Sequence, residues 1–150
     1  MVLVATKTRQ LGEAMDHIRP LIGPETDVVP LLNGVGASDR LAAALSESHA
    51  LNGICYIFAA RVAPGVVRHL GIHPLIIFGE RDNRRTARVE ALRDWLERAG
   101  VQVTIPPDID AGVWRKFVFG ATTSGLGAVT RALAPMGLLR ELLERRLLLI

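Results

Sequence analysis

Apolar residues fall into two kinds of pattern along this chain, short unbroken runs and longer stretches with helical spacing. Residues 2–5 and 27–32 are near-continuous apolar runs with β-branched members, the pattern of strands buried on both faces of a parallel sheet. Between them Leu11, Ala14, Met15 and Ile18 recur on one face of a helix predicted over 10–21, closed by Pro20 and Gly23-Pro24. Strand, helix and strand in this order predict a βαβ unit with a right-handed crossover. A second helix is expected to 45, with Ser38 as its N-cap ahead of Asp39. Three strands follow over 53–60, 65–70 and 75–78, broken by Pro64-Gly65 and His73-Pro74. The stretch 84–99 reads as an amphipathic helix with Val89, Leu92, Trp95 and Leu96 inward and Gly100 as its stop. A last strand over 101–105 ends at Pro106-Pro107.

Beyond that pair of prolines the pattern turns helical. Asp108 or Asp110 can cap a helix carrying Val113, Trp114, Phe117 and Val118, with Trp114 expected as a core anchor. Gly120, Ala121, Gly125, Gly127 and Ala128 then suit close packing or backbone approach to a ligand. A final helix after Pro135 places Leu138, Leu139, Leu142, Leu143 and Leu147 together. The expected fold class is α/β. Residues 1–107 read as the later part of a Rossmann-like nucleotide-binding domain, and 108–150 as the opening helices of an all-helical domain. A buried strand at residue 2 and the apolar end from Leu147 to Ile150 predict neighbours beyond both ends of the chain.

Composition narrows the class. The 150 residues are 49% hydrophobic and 22% charged, with a mean hydropathy of +0.28, which describes a folded chain rather than a disordered one. No run approaches the roughly 20 apolar residues that span a bilayer, and the first residues carry no basic leader. One cysteine, Cys55, rules out an internal disulfide and fits a cytoplasmic setting. The net charge of +3 is spread through helices and mixed with acids, so a nucleic-acid surface is not the reading. Arg81, Arg84, Arg85 and Arg88 read as a solvated helix start, and His69 and His73 as turn residues. Of 18 lysines and arginines, only Lys7 and Lys116 are lysine. Lysine can release its proton near neutral pH when its surroundings favour that, whereas a guanidinium cannot.

The candidate chemistry gathers at strand ends and on one helix. Lys7 follows the first strand, and Asn33-Gly34-Val35-Gly36 follows the second. The carboxyl ends of parallel strands are where open α/β sheets bind ligands. Glycine lets the backbone come close there, and an amide both donates and accepts. Lys116, Gly120 and Ser124 recur at the four-residue spacing that shares one helix face.

Lys7 with Gln10, Asn33-Gly34-x-Gly36, Pro64-Gly65 leading to His69-x-Gly71, Gly79-Glu80 and Trp114-x-Lys116 occur in this order. The set resembles the ketopantoate reductase family, over nearly the whole chain but only the middle of the family's length. The resemblance implies NADPH-dependent reduction of 2-dehydropantoate, a 2-keto acid, to pantoate, and leaves a homodimer open. It implies that Lys7 and Asn33 bind NADP, with Ala59 supplying a backbone contact. It implies that Lys116 is the catalytic proton donor, and that Asn33, Lys116 and Ser124 meet the substrate.

The chain departs from the family where Gly120 and Ser124 replace two asparagines and where Met136 replaces a third. No GxGxxG motif is present, so the preference for NADP over NAD is inherited from the resemblance. Two other readings stand beside it: a 3-hydroxyacid dehydrogenase with a helix-borne lysine, and a non-catalytic remnant. Cys55 reads simply as a buried strand residue.

Overall fold

The computed structural model describes residues 1–71 and 73–130, with the side chains of Leu126 and Thr130 excepted. The final helix expected after Pro135, and Met136 with it, lie outside the described residues. β1 (Val2–Val4), α1 (Leu11–Ile18) and β2 (Val28–Pro30) form the expected opening unit, and β1 pairs with β2 in parallel. Single 3-10 turns at Thr8–Gln10 and Arg19–Leu21 flank α1. α2 (Ala37–Leu45) leads into β3 (Asn52–Tyr56). A parallel bridge between Val28 and Ala50 joins β2 to the start of β3. β3 then pairs antiparallel with β6 (Leu75–Gly79), and β6 pairs in parallel with β7 (Gln102–Thr104). β1 and β2 thus form one two-stranded sheet and β3, β6 and β7 a mixed three-stranded one in the order β3-β6-β7, with the Val28–Ala50 bridge between them. β4 (Ala59–Ala63) and β5 (Val66–His69) form a separate hairpin. Its turn is made by Pro64-Gly65, where Gly65 takes a φ of 73° that glycine adopts without strain.

Side-chain alternation along the strands sorts the core onto two faces. Val28 packs with Val4, Leu11, Ile18 and Leu41, so α1 and α2 cover one face of β1 and β2. Val29, Leu51, Ile76 and Phe78 point the other way and meet Val89, Leu92 and Leu96 of α3 (Ala87–Arg98). Ile54 and Ile77 meet Ile109 and Val113 of α4 (Ile109–Thr130). Each fully buried Leu, Ile or Phe contributes about 1.5–3 kcal/mol of hydrophobic stabilisation. Gly53 allows the strands to close together. A Cβ there would lie 2.6 Å from the carbonyl oxygen of Pro30 and 2.7 Å from a methyl of Val29.

Several local expectations give way to longer-range contacts. The strand expected over 53–60 is two strands, because the chain leaves the sheet at Ile57-Phe58 and starts the hairpin. Gly36, not Ser38, is the N-cap of α2. The Ser38 hydroxyl is buried, donating to the Leu51 carbonyl at 3.0 Å and accepting from Arg81 at 2.9 Å. Thr86 caps α3, its hydroxyl accepting from the Val89 amide. Asp108 caps α4 by accepting from the Ala111 amide at 2.9 Å, while Asp110 receives the side-chain amide of buried Asn52. Trp95 and Trp114, both expected inward, are 54% and 55% exposed. Trp114 packs edge-on against Phe117 at 5.8 Å between ring centroids.

The arginines expected in solvent divide into two kinds. Arg84 and Arg85 stay on the surface, with exposed ion pairs to Asp82 and Glu90. Arg81 and Arg88 are largely covered. Arg88 grips both oxygens of buried Glu80 and reaches Asp27 and the Ser48 carbonyl. Thr86 also donates to Glu80. The network ties the start of α3 to the strand ends of β2 and β6. Among the described residues, no helix is long and apolar enough to cross a membrane.

Candidate active site

Parallel pairing of β1 with β2 brings their carboxyl ends side by side. The Leu31 amide continues the ladder by donating to the Val4 carbonyl at 2.8 Å. The Thr8 hydroxyl then donates to the Asn33 carbonyl at 3.0 Å, tying the two post-strand loops together. Lys7 sits at this edge with its side chain exposed, immediately before the 3-10 turn. Asn33 is exposed beside it. The segment after Asn33 turns sharply, with Gly34 at a φ of 111°, and enters α2 at Gly36. Side chains at Gly34 and Gly36 would meet nothing within 4 Å, so the loop presents open backbone next to a helix N-terminus.

α4 crosses this edge. Ile109 and Val113 bury against Ile54 and Ile77, which fixes the rotation of the helix. Asn83, held in a left-handed conformation at φ 63°, accepts from the Ile109 amide at 2.9 Å and fixes where the helix starts. That rotation aims Lys116 at the strand ends. Its Nζ donates to Asn33 Oδ1 at 3.0 Å and to the Cys55 carbonyl at 2.8 Å, and stands 5.5 Å from the centre of the Tyr56 ring. An ammonium has only donors, so the Asn33 amide must turn its oxygen toward Lys116 and its NH2 outward. Burial pushes the Lys116 pKa below the ordinary lysine value, and the nearby Cys55 sulfur offsets part of this. Burial likewise pushes the Cys55 thiol and the Tyr56 phenol up.

The structure thus joins Lys116 and Asn33 directly and places Lys7 on the same edge. Gly120 and Ser124 follow Lys116 on one unbroken helix. A Cβ at Gly120 would meet nothing within 4 Å, and Ser124 is exposed. Ala59 opens β4 three residues after Tyr56, exposed and opposite His69 in the hairpin register. Sequence reasoning missed the Cys55 carbonyl and the Tyr56 ring. A backbone acceptor leaves no mark on residue type, and Cys55 itself, expected as a buried strand residue, lies in β3 but is only half-buried. Tyr56 is the chain's only tyrosine, but the apolar pattern places it inside a strand over 53–60, and nothing local marks it as the end of β3.

The edge suits a nicotinamide dinucleotide. It offers open glycine backbone at a helix N-terminus, a lysine, and an outward amide. Next to Lys7, the Thr6 hydroxyl is buried with no hydrogen-bond partner among the described residues.

Known proteins resemble this chain over most of its length. The family model for ketopantoate reductase PanE/ApbA matches residues 1–83. The uncharacterized oxidoreductase YkpB of Bacillus subtilis is 31% identical over 137 residues, 91% of this chain and 45% of that protein. The crystal structure of 2-dehydropantoate 2-reductase from Geobacter metallireducens superposes with a TM-score of 0.79 at 33% identity, over 87% of this chain and 43% of that one. D-mandelate dehydrogenase, in a ternary structure with NADH and anilino(oxo)acetate, superposes with a TM-score of 0.78 at 25% identity, over 86% of this chain and 41% of that one. The chain therefore spans less than half the length of the relatives it matches. With a Rossmann-like α/β fold and the family model matched over more than half its length, the chain belongs to the ketopantoate reductase PanE/ApbA family of oxidoreductases.

Proposed function

We propose that this protein reduces a 2-oxo acid to the 2-hydroxy acid with NADPH, the substrate being 2-dehydropantoate and the product pantoate. The observation that carries the reading is the Lys116 ammonium seated on Asn33 at the ligand edge of the sheet. In this reading residues 1–107 hold the cofactor, and α4 carries the lysine that meets the substrate.

A bound reduced nicotinamide supplies the hydride that arrives at the carbonyl carbon. The chain's own residues handle the oxygen. Two of the three ammonium hydrogens of Lys116 are committed to Asn33 and Cys55, which leaves one for the substrate carbonyl. As negative charge builds on that oxygen, Lys116 stabilises it and transfers the proton, leaving a neutral amine that water reprotonates. Partial burial helps twice. It strengthens the charge interaction, and the lowered pKa makes the ammonium a better acid. The outward NH2 of Asn33 donates to the ribose or the substrate, and Lys7 pairs with cofactor phosphate. The backbone of Ala59, exposed at the start of β4, supplies a further cofactor contact, and Ser124 reaches the far end of the substrate.

A second reading keeps the chemistry and changes the reactants. The likeness to D-mandelate dehydrogenase with NADH favours an aryl-substituted 2-oxo acid and NADH. Gly120, with open space and no side-chain donor, fits that substrate too. Oxidation of NADPH and NADH, followed by absorbance with 2-dehydropantoate and with phenylglyoxylate, separates the two. Turnover of 2-dehydropantoate with NADPH supports the first reading. Preference for phenylglyoxylate with NADH establishes the second, and no turnover of either overturns both.

A further inference from the structure

Lys116 has four rotatable carbons of side chain, yet its ammonium is held at one place. Two of the groups around it come from consecutive residues of β3, the Cys55 carbonyl at 2.8 Å and the Tyr56 ring at 5.5 Å. Tyr56 is the last residue of β3 and pairs with Leu75 of β6. Its ring packs against the cluster of Ile54, Ile77, Ile109 and Val113 that fixes α4 on the sheet. The same ring therefore touches the packing that places the helix and faces the cation that the helix carries.

We propose that Tyr56 is a positioning residue for Lys116: its ring face, not its hydroxyl, holds the ammonium in line with Asn33 and the open strand edge. A carbonyl and an amide oxygen can each be replaced by water around a flexible lysine. A ring face set on a strand cannot move with the lysine. It attracts the cation through its quadrupole and keeps water from one side of it. Burial is the main reason the Lys116 pKa lies below the ordinary value, which agrees with a side covered by an aromatic surface. Arg115, at the neighbouring helix position, acts electrostatically on the Tyr56 phenol.

The kinetic part of this inference rests on Lys116 being the proton donor; the geometric part does not. The two lysines allow a direct test on the whole chain labelled with 13C-lysine, the Lys116 signals being assigned with Lys116→Arg. Protons on the Cε of Lys116 should be shifted upfield by the ring in the wild type and in Tyr56→Phe. The shift should vanish in Tyr56→Leu while the chain still melts cooperatively. In turnover, Tyr56→Phe should stay near wild type, and Tyr56→Leu should lose roughly 3- to 30-fold in kcat with KM little changed. An unshifted Lys116 signal in the wild type overturns the proposal whatever the variants do. So does a shift that survives Tyr56→Leu, or an equal loss of kcat in Tyr56→Phe. A shift that behaves as expected in a protein without turnover upholds the positioning and removes the proposed reaction instead.

Discussion

Lys116 Nζ lies 3.0 Å from Oδ1 of Asn33, a contact between residues 83 positions apart. Asn33 is fixed by the parallel strands β1 and β2 and by the Thr8 hydroxyl on its carbonyl. Lys116 is fixed by the burial of Ile109 and Val113, two turns and one turn before it. A helix and a sheet edge, each placed by its own core, meet in one hydrogen bond. The contact also orients the Asn33 amide, with its NH2 directed away from the lysine.

The lowered pKa of Lys116 has a consequence for rate. If Lys116 is the proton donor proposed above, it works only while protonated, so kcat should be present below its pKa and fall as pH rises through it. Because burial lowers that pKa, the basic limb should lie below the ordinary lysine value of about 10.4. A pH profile of kcat checks this. In Asn33→Ala, which removes an acceptor of the charged form, the limb should move to still lower pH.

Gly53 should tolerate no side chain. In Gly53→Ala the new methyl would lie 2.6 Å from the Pro30 carbonyl, a backbone atom that cannot turn aside. Overpacking of this kind costs about 1–3 kcal/mol or more. β3 would shift, and with it Cys55 and Tyr56. Thermal denaturation should show a lower Tm, and the upfield Lys116 signal should weaken in whatever fraction stays folded.

Glu80 makes stability depend on acid pH. Burial alone would raise its pKa, but hydrogen bonds from Arg88 and Thr86 together with the Arg88 charge outweigh burial and hold it below the usual carboxylate range. A carboxylate with a depressed pKa in the folded state stabilises the fold above its unfolded pKa, near 4.3, and loses that contribution as pH falls through the folded value. Glu80→Gln should therefore cost about 2–4 kcal/mol near neutral pH. The gap from wild type should narrow below pH of about 4. Urea denaturation at both pH values measures it.

Much of this fold is legible in the sequence because apolar runs and helical spacing report burial directly. The runs around Val28 and Phe78 and the spacing of Leu11 with Ile18 gave strands and a helix close to their observed positions. What local pattern does not carry is partnership. Ser38 has the residue type of a cap, yet it is buried because Leu51 and Arg81 need its hydroxyl. Arg88 looks like a solvated charge until Glu80, Asp27 and Ser48 converge on it. The break at Ile57-Phe58 is apolar on both sides, so hydropathy cannot see it. The same holds for the site. Lys7, Asn33 and Lys116 are recognisable by type and order, whereas the Cys55 carbonyl and the Tyr56 ring become visible only once β3 lies beneath α4.

Turnover of the 2-oxo acid by Lys116→Arg and by Lys116→Ala, measured alongside NADPH affinity, tests proton donation by Lys116. Arginine keeps the positive charge but holds its proton too tightly to transfer it near neutral pH. If Lys116 is the proton donor, both variants should lose about 10²–10⁴-fold in kcat, with NADPH binding nearly unchanged. Lys7→Ala should show the converse, weaker NADPH binding and a nearly intact chemical step at saturation. Near-full turnover by Lys116→Arg would contradict proton donation by this residue and leave it only an electrostatic part.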